Sequence, residues 1–186
     1  YTGPITLQCE FEVETVPGSI SIALEEPGDT EVTVNGKPAG EWDGERYYMD
    51  KSFRPIVITP LVQEGTNTIE FSLDFRPLDK PAFGLSRLFA NLEGTEVECF
   101  YLIGDFAVTT NGRKEDCEEN VRYPQGFTIA AEPETVTGDL VDEGYPFFSG
   151  DIELSSEFEL GTTGNRTVLS LPGLESCVTH VEVNGK

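Results

Sequence analysis

The sequence predicts an all-β chain, a β-sandwich of the jelly-roll kind, on three observations. Apolar and polar residues alternate with a period of two along most of the chain. Gly and Pro mark many of the junctions between the alternating runs. The opening stretch is written a second time near the far end.

Taken in order, "ITLQCEFEV" sets Ile5, Leu7, Cys9, Phe11 and Val13 against Thr6, Gln8, Glu10 and Glu12, as in a sheet with one wet face. "SISIALEE" and "EVTVNGK" follow, separated by the turn-rich "EPGDT". Asn35-Gly36 predicts a two-residue hairpin turn, because both residues accept the positive φ that such a turn demands. The next strands are "RPIVITP" and "NTIEFSLDF". Gly65 and Asn67 are read as the turn before the second, and Ile69, Phe71, Leu73 and Phe75 as one of its faces. "EVECFYLIGDFAV", "GFTIAA", "GDIELSSEFEL" and "RTVLSL" complete the set, and only "FGLSRLFANLEG" suits a helical turn or two.

The duplication pairs Tyr1 with Phe148, Gly3 with Gly150, Ile5 with Ile152, Leu7 with Leu154, Phe11 with Phe158 and Val13 with Leu160. Both copies then reach the same landmark, "VTVNGK" ending at Lys37 and "VEVNGK" ending at Lys186. One kind of structural unit therefore occurs twice, the second time only in part.

With 38% hydrophobic and 10% aromatic residues in 186, the chain has material for a buried core and is not of the disordered class. Acidic residues outnumber basic ones by 34 to 12, and the net charge of −22 repels phosphate backbones and anionic lipid, so neither nucleic acid nor bare membrane is an expected partner. Neutral sugars are not repelled. No stretch approaches the ~20 apolar residues of a membrane span, which argues against membrane insertion. Cys9, Cys99, Cys117 and Cys177 are too few and too widely spaced for a disulfide framework or a zinc site; Cys9 is expected to be a buried free thiol.

Two stretches carry a family resemblance. "VTVNGKPAGEW" followed by "SFRPIVITPLVQEGTNTIEFSL" resembles the galactose-binding-like jelly rolls attached to family 2 and similar large bacterial glycoside hydrolases. There one strand ends in "VNGK", a connecting segment follows, and an "EG-N-I" pattern introduces the next strand. "YLIGDFAV" and "GYPFFSGDIELSSEFEL" are similar to the opening strands of such a domain in rhamnosidase-like enzymes. The resemblance implies a carbohydrate-binding or scaffolding accessory domain whose catalytic carboxylates lie in a separate barrel. It also implies a division into residues 1–82 as the later strands of a first unit, 83–92 as a connector, and 93–186 as the opening strands of a second unit, truncated at its C-terminal end. The alternative organisation is a single permuted sandwich from Tyr1 to about Pro146, followed by an overhang. On the two-unit reading part of each sandwich is missing, so the chain is expected to belong to something longer, with the rest of that polypeptide as a partner.

No catalytic machinery is recognisable. Glycoside hydrolysis needs two carboxyl groups about 5–10 Å apart in contrasting environments, and 34 acidic residues make any such pair uninformative. The single histidine, His180, has no serine or cysteine elbow beside it. "GDTEV" and "DKSF" lack EF-hand spacing; the resemblance to jelly rolls of this kind implies a structural calcium ion held by backbone carbonyls. For ligand binding the informative stretch is "GEWDGERYYMDKSFR". Sugars lay their C–H faces on aromatic rings while polar groups take the hydroxyls, so Trp42, Tyr47, Tyr48, Asp50 and Arg54 are the candidate ligand-binding residues. The same rings also suit packing beneath the loop or against a neighbouring domain. A stand-alone glycan-binding module and a cell-surface structural sandwich are the competing readings.

Overall fold

A computed structural model describes residues 1–25, 28–77, 95, 99–112, 114–118, 120–148, 150–161, 164, 166–174 and 176–186. The expected helical stretch "FGLSRLFANLEG" lies outside these. Among the described residues there is no α-helix, only strands and one 3-10 turn at Thr59–Leu61.

The chain divides into two units, Tyr1–Phe148 and Ser149–Lys186. In the first unit, strands β1 (Gly3–Val13), β2 (Ile20–Glu25), β3 (Glu31–Val34), β4 (Lys37–Pro38), β5 (Phe53–Val57) and β6 (Gly65–Phe75) precede the segment 78–94, which is not described. Strands β7 (Phe100–Gly104), β8 (Ala107–Thr110), β9 (Glu115–Asp116), β10 (Val121–Arg122) and β11 (Phe127–Ala130) follow it. One sheet has the order β4-β3-β6-β1-β11-β8 and a second has the order β5-β2-β7; β9 and β10 form a separate two-stranded ribbon. Ile20, Ile22, Leu24 and Ile56 of the smaller sheet and Val32, Val34, Ile69, Phe71 and Ile129 of the larger one form one buried cluster. Phe71 and Phe100 meet across it with ring centroids 4.8 Å apart. This is two sheets packed face to face, with the wet side of β1 carrying Thr6, Gln8, Glu10 and Glu12 as the alternation requires.

The longest ladder joins β1 to β6, antiparallel and in register from Gly3↔Phe75 to Val13↔Gly65. β3 pairs with the other edge of β6. The strand that follows the "EG-N-I" pattern therefore lies between the two strands that precede it in sequence. Asn67 begins this insertion, and it is not a turn residue: it lies within β6, 0% exposed. Its Oδ1 accepts from the Gln63 amide (2.9 Å) and from Asn35 Nδ2 (2.8 Å), while its Nδ2 donates to the carbonyls of Gln63 (2.7 Å) and Gly65 (2.9 Å). Asn35, held at φ 51 in the turn before β4, also donates to Leu61 O and accepts from the Thr68 amide.

Two other expectations change on inspection. "EVECFYLIGDFAV" is two strands in different sheets, because the chain bends at Asp105 and crosses the sandwich. At the bend a Cβ on Gly104 would lie 2.0 Å from the Ser19 carbonyl oxygen, so only glycine permits this approach. Cys9 is half-buried, and all four cysteines are free thiols. Strands on both sides of residues 83–92 share the same two sheets: β7 pairs with β2, and β11 runs parallel to β1. The compact unit Tyr1–Phe148 thus takes strands from both sides of the undescribed segment, with β7 and β11 adding a second neighbour to β2 and β1 beside β5 and β6.

The second unit is different in kind. Its "GDIELSSEFEL" and "RTVLSL" stretches hold no assigned strand among the described residues, and Ile152, Leu154, Phe158 and Leu160 are exposed. Its turn is nevertheless formed, with Asn184 at φ 52 and Gly185 at φ 75, against 51 and 72 for Asn35 and Gly36. Val183 and Lys186 exchange backbone hydrogen bonds of 2.9 and 3.2 Å across it.

Asn67→Ala leaves several buried amides and carbonyls without partners, at about 1–3 kcal/mol for each group that water cannot reach. We expect a net loss of about 3 kcal/mol, read as a lower urea midpoint at unchanged m-value. A loss below about 0.5 kcal/mol, the size of an ordinary surface substitution, would mean that the register is set elsewhere.

Candidate functional site

The loop between β4 and β5, residues 39–52, holds four of the five candidate residues, and Arg54 lies on β5. Paired positions place Ser21, Ala23, Pro55, Val57, Tyr101 and Ile103 on the face of the small sheet opposite the core. Ser21 and Ala23 are nevertheless buried. A shallow groove of about 380 Å³ opens on this face, floored by Ser19, Ser21, Pro55, Ile103 and Gly104 and walled by Glu45, Arg46 and Tyr47.

The five candidates do not converge on it. Tyr47 lines the groove and is 56% exposed. Tyr48 packs instead on Tyr101 of β7, at 5.7 Å between centroids, and Phe53 meets the same ring at 5.5 Å. Trp42 and Arg54 engage each other: the guanidinium carbon lies 5.1 Å from the indole centroid. Arg54 alternates with Phe53 and Pro55 and so shares a strand face with Ile56, and its Nε is buried without a hydrogen-bond partner among the described residues. Asp50 serves its own turn, accepting from the backbone amide and the hydroxyl of Ser52. Those two bonds, the hydroxyl first, lower its pKa.

The groove wall is held by Asp43. Its Oδ1 accepts from the amides of Glu45 (3.0 Å) and Arg46 (3.1 Å), and its Oδ2 accepts from Arg46 Nε (2.6 Å). The Glu45 amide foremost, then the Arg46 guanidinium, brings the Asp43 carboxyl down to about 2. Trp42 Nε1 donates to Arg46 O (2.6 Å), so the same turn fixes the indole. Glu45, Arg46, Ser19 and Ser21 were not among the sequence candidates; the pattern Asp43-Gly-Glu-Arg was the available signal, an Asx turn that aims its third and fourth residues.

In the "GYPFF" stretch Tyr145 is half-buried, while Phe147 and Phe148 are exposed. Tyr145 donates to Glu132 Oε1 at 3.3 Å, and burial, reinforced by that carboxylate, raises its pKa. Phe147 meets Phe127 edge-on at 4.7 Å. No group of three or more His, Cys, Asp or Glu side chains converges among the described residues, and none of their helices is long and apolar enough to cross a membrane. Comparisons with protein-family models, with curated proteins and with solved structures find no match.

Because Trp42 is the only tryptophan, its emission reports this turn alone. A carboxyl with a depressed folded pKa contributes stability that is present above its unfolded value of 3.8 and is lost as pH falls through the folded value. The Trp42 signal is therefore expected to hold through pH 4 and to change with a midpoint near 2, and Asp43→Ala should show the altered emission already at pH 7. A transition centred near 3.8 would contradict the arrangement.

Proposed function

We propose that this chain is a non-catalytic segment of a larger carbohydrate-active enzyme: a jelly-roll sandwich of the galactose-binding-like type that scaffolds a catalytic domain and meets neutral sugar at the groove beside Tyr47. The observation that carries the reading is the meeting of the two motifs behind the resemblance. Asn35 of "VNGK" and Asn67 of "EGTNTI" bond directly and fix β6 between its neighbours. Those residues are thus a structural signature of the sandwich. The groove adds an exposed ring, a guanidinium, a carboxylate and two serine hydroxyls within one small space, the mixture that sugar recognition uses. The acid and base of hydrolysis are placed outside this chain.

The duplication favours a second reading, a structural sandwich module of a cell-surface protein built from repeats, because modular surface proteins reuse one unit along a chain. Calorimetric titration with a panel of neutral oligosaccharides separates the two. Carbohydrate contact predicts saturable binding to at least one sugar, weakened about tenfold, or about 1.4 kcal/mol, by Tyr47→Ala. Absence of binding to every sugar at millimolar concentration would remove the groove from the proposal and leave a scaffold. Binding indifferent to Tyr47→Ala would place the sugar elsewhere.

A further inference from the structure

We propose that Asn35-Gly36 is a deamidation site that the sandwich keeps silent and that an opening of the sandwich converts permanently. Asparagine precedes glycine here and again at Asn111-Gly112. Glycine has no side chain to shield its backbone nitrogen. That nitrogen, once its proton has passed to solvent, bonds to the side-chain carbonyl carbon of the asparagine, which then expels its amide nitrogen as ammonia. Water opens the resulting five-membered imide at one carbonyl or the other and leaves aspartate or isoaspartate in place of asparagine. Water is the only co-reactant.

In the folded chain the Asn35 carboxamide is held away from this reaction. Its Nδ2 donates to Leu61 O (2.9 Å) and to Asn67 Oδ1 (2.8 Å), and its Oδ1 accepts from the Thr68 amide (3.0 Å). The Asn35 amide donates in turn to Thr68 O (2.9 Å), so both the main chain and the side chain of this residue are tied to β6. Gly36 is exposed, and solvent reaches the nucleophile. The missing step is rotation of the carboxamide, which requires its three bonds to break together. Asn111-Gly112 provides the contrast: both residues are exposed, and among the described residues the Asn111 carboxamide makes one bond, accepting from Thr128 Oγ1 (2.9 Å). The rate at Asn35 therefore follows the fraction of time for which its turn and β6 are apart.

The product does not fit the place that asparagine leaves. Aspartate sets a carboxylate oxygen, which only accepts, against Leu61 O and Asn67 Oδ1, where Nδ2 had donated to both. Asn67 cannot reverse its own amide to compensate, because its Oδ1 accepts from the Gln63 amide and its Nδ2 donates to the carbonyls of Gln63 and Gly65. Isoaspartate adds a methylene to the main chain of a turn whose register pairs Val34 with Lys37. Either product removes the bond that fixes the start of β6, so a chain that has reacted while open does not close to the same sandwich. Opening is thereby recorded irreversibly, at the residue on which the register depends.

The test is peptide-resolved mass spectrometry of the full chain during incubation in mildly alkaline buffer, following conversion of amide to acid at Asn35 and Asn111. We expect Asn35 to react about tenfold or more slowly in the folded chain than in urea that unfolds it, and more slowly than Asn111 in the same folded sample. Asn67→Ala is expected to raise the Asn35 rate in buffer about tenfold or more and to leave the Asn111 rate unchanged. If that variant does not fold, sub-denaturing urea takes its place: the Asn35 rate of the unsubstituted chain rises in step with the unfolded population. Asn35→Asp, the product made directly, is expected to lower the urea midpoint or to prevent folding. An Asn35 rate equal in the folded and unfolded chain overturns the proposal, as does a rate that neither Asn67→Ala nor urea changes. An Asn35→Asp chain with an unchanged urea midpoint overturns it too, because the conversion would then leave no lasting mark on the fold.

Discussion

Everything in the first unit depends on β6 entering between two strands that precede it in the chain. A register error of one residue there would turn Ile69 and Phe71 from the core to water. The hydrogen bond between Asn35 and Asn67, with the bonds from Asn67 to Gln63 and Gly65, fixes where β6 starts, and the β1–β6 ladder then extends without interruption to Gly3↔Phe75. A buried, fully bonded asparagine suits this task because every misplacement would strand several of its partners out of reach of water. Apolar contacts, having no direction, supply most of the stabilisation but tolerate a wider range of alignments.

The two copies of the opening motif act as a comparison made within one molecule. Almost the same alternation that gives β1 an eleven-residue strand gives residues 151–160 none, while the Asn-Gly turn has the same angles in both places. Alternation describes which side of a strand could be buried; the partner decides whether there is a strand at all. Ile152, Leu154, Phe158 and Leu160 carry the pattern of a buried face and are exposed.

The sequence is legible to different depths for the same reason. β1, β2, β3 and β6 lie where period-two alternation and Gly or Asn punctuation place them, since those signals are local. Gly104-Asp105 interrupts the apolar run "YLIGDFAV", but nothing local says that the chain changes sheet there, and the close approach of Gly104 to Ser19 involves a residue more than eighty positions away. The role of Asn67 was misread as a turn for a similar cause: asparagine is common in turns, and its burial follows from a partner 32 residues distant. The candidate site was legible as a loop and not as a geometry. The sequence places Trp42, Tyr47 and Tyr48 within one short segment, but which rings face the groove and which pack on Tyr101 or Arg54 is settled by the register of the small sheet.

Backbone amide hydrogen exchange in the intact chain tests the dependence of strand on partner most directly, because it reads each copy separately in one experiment. The account predicts slow exchange along β1 and β6 and rapid exchange for the amides of residues 152–160. Comparable protection in the two copies would contradict it.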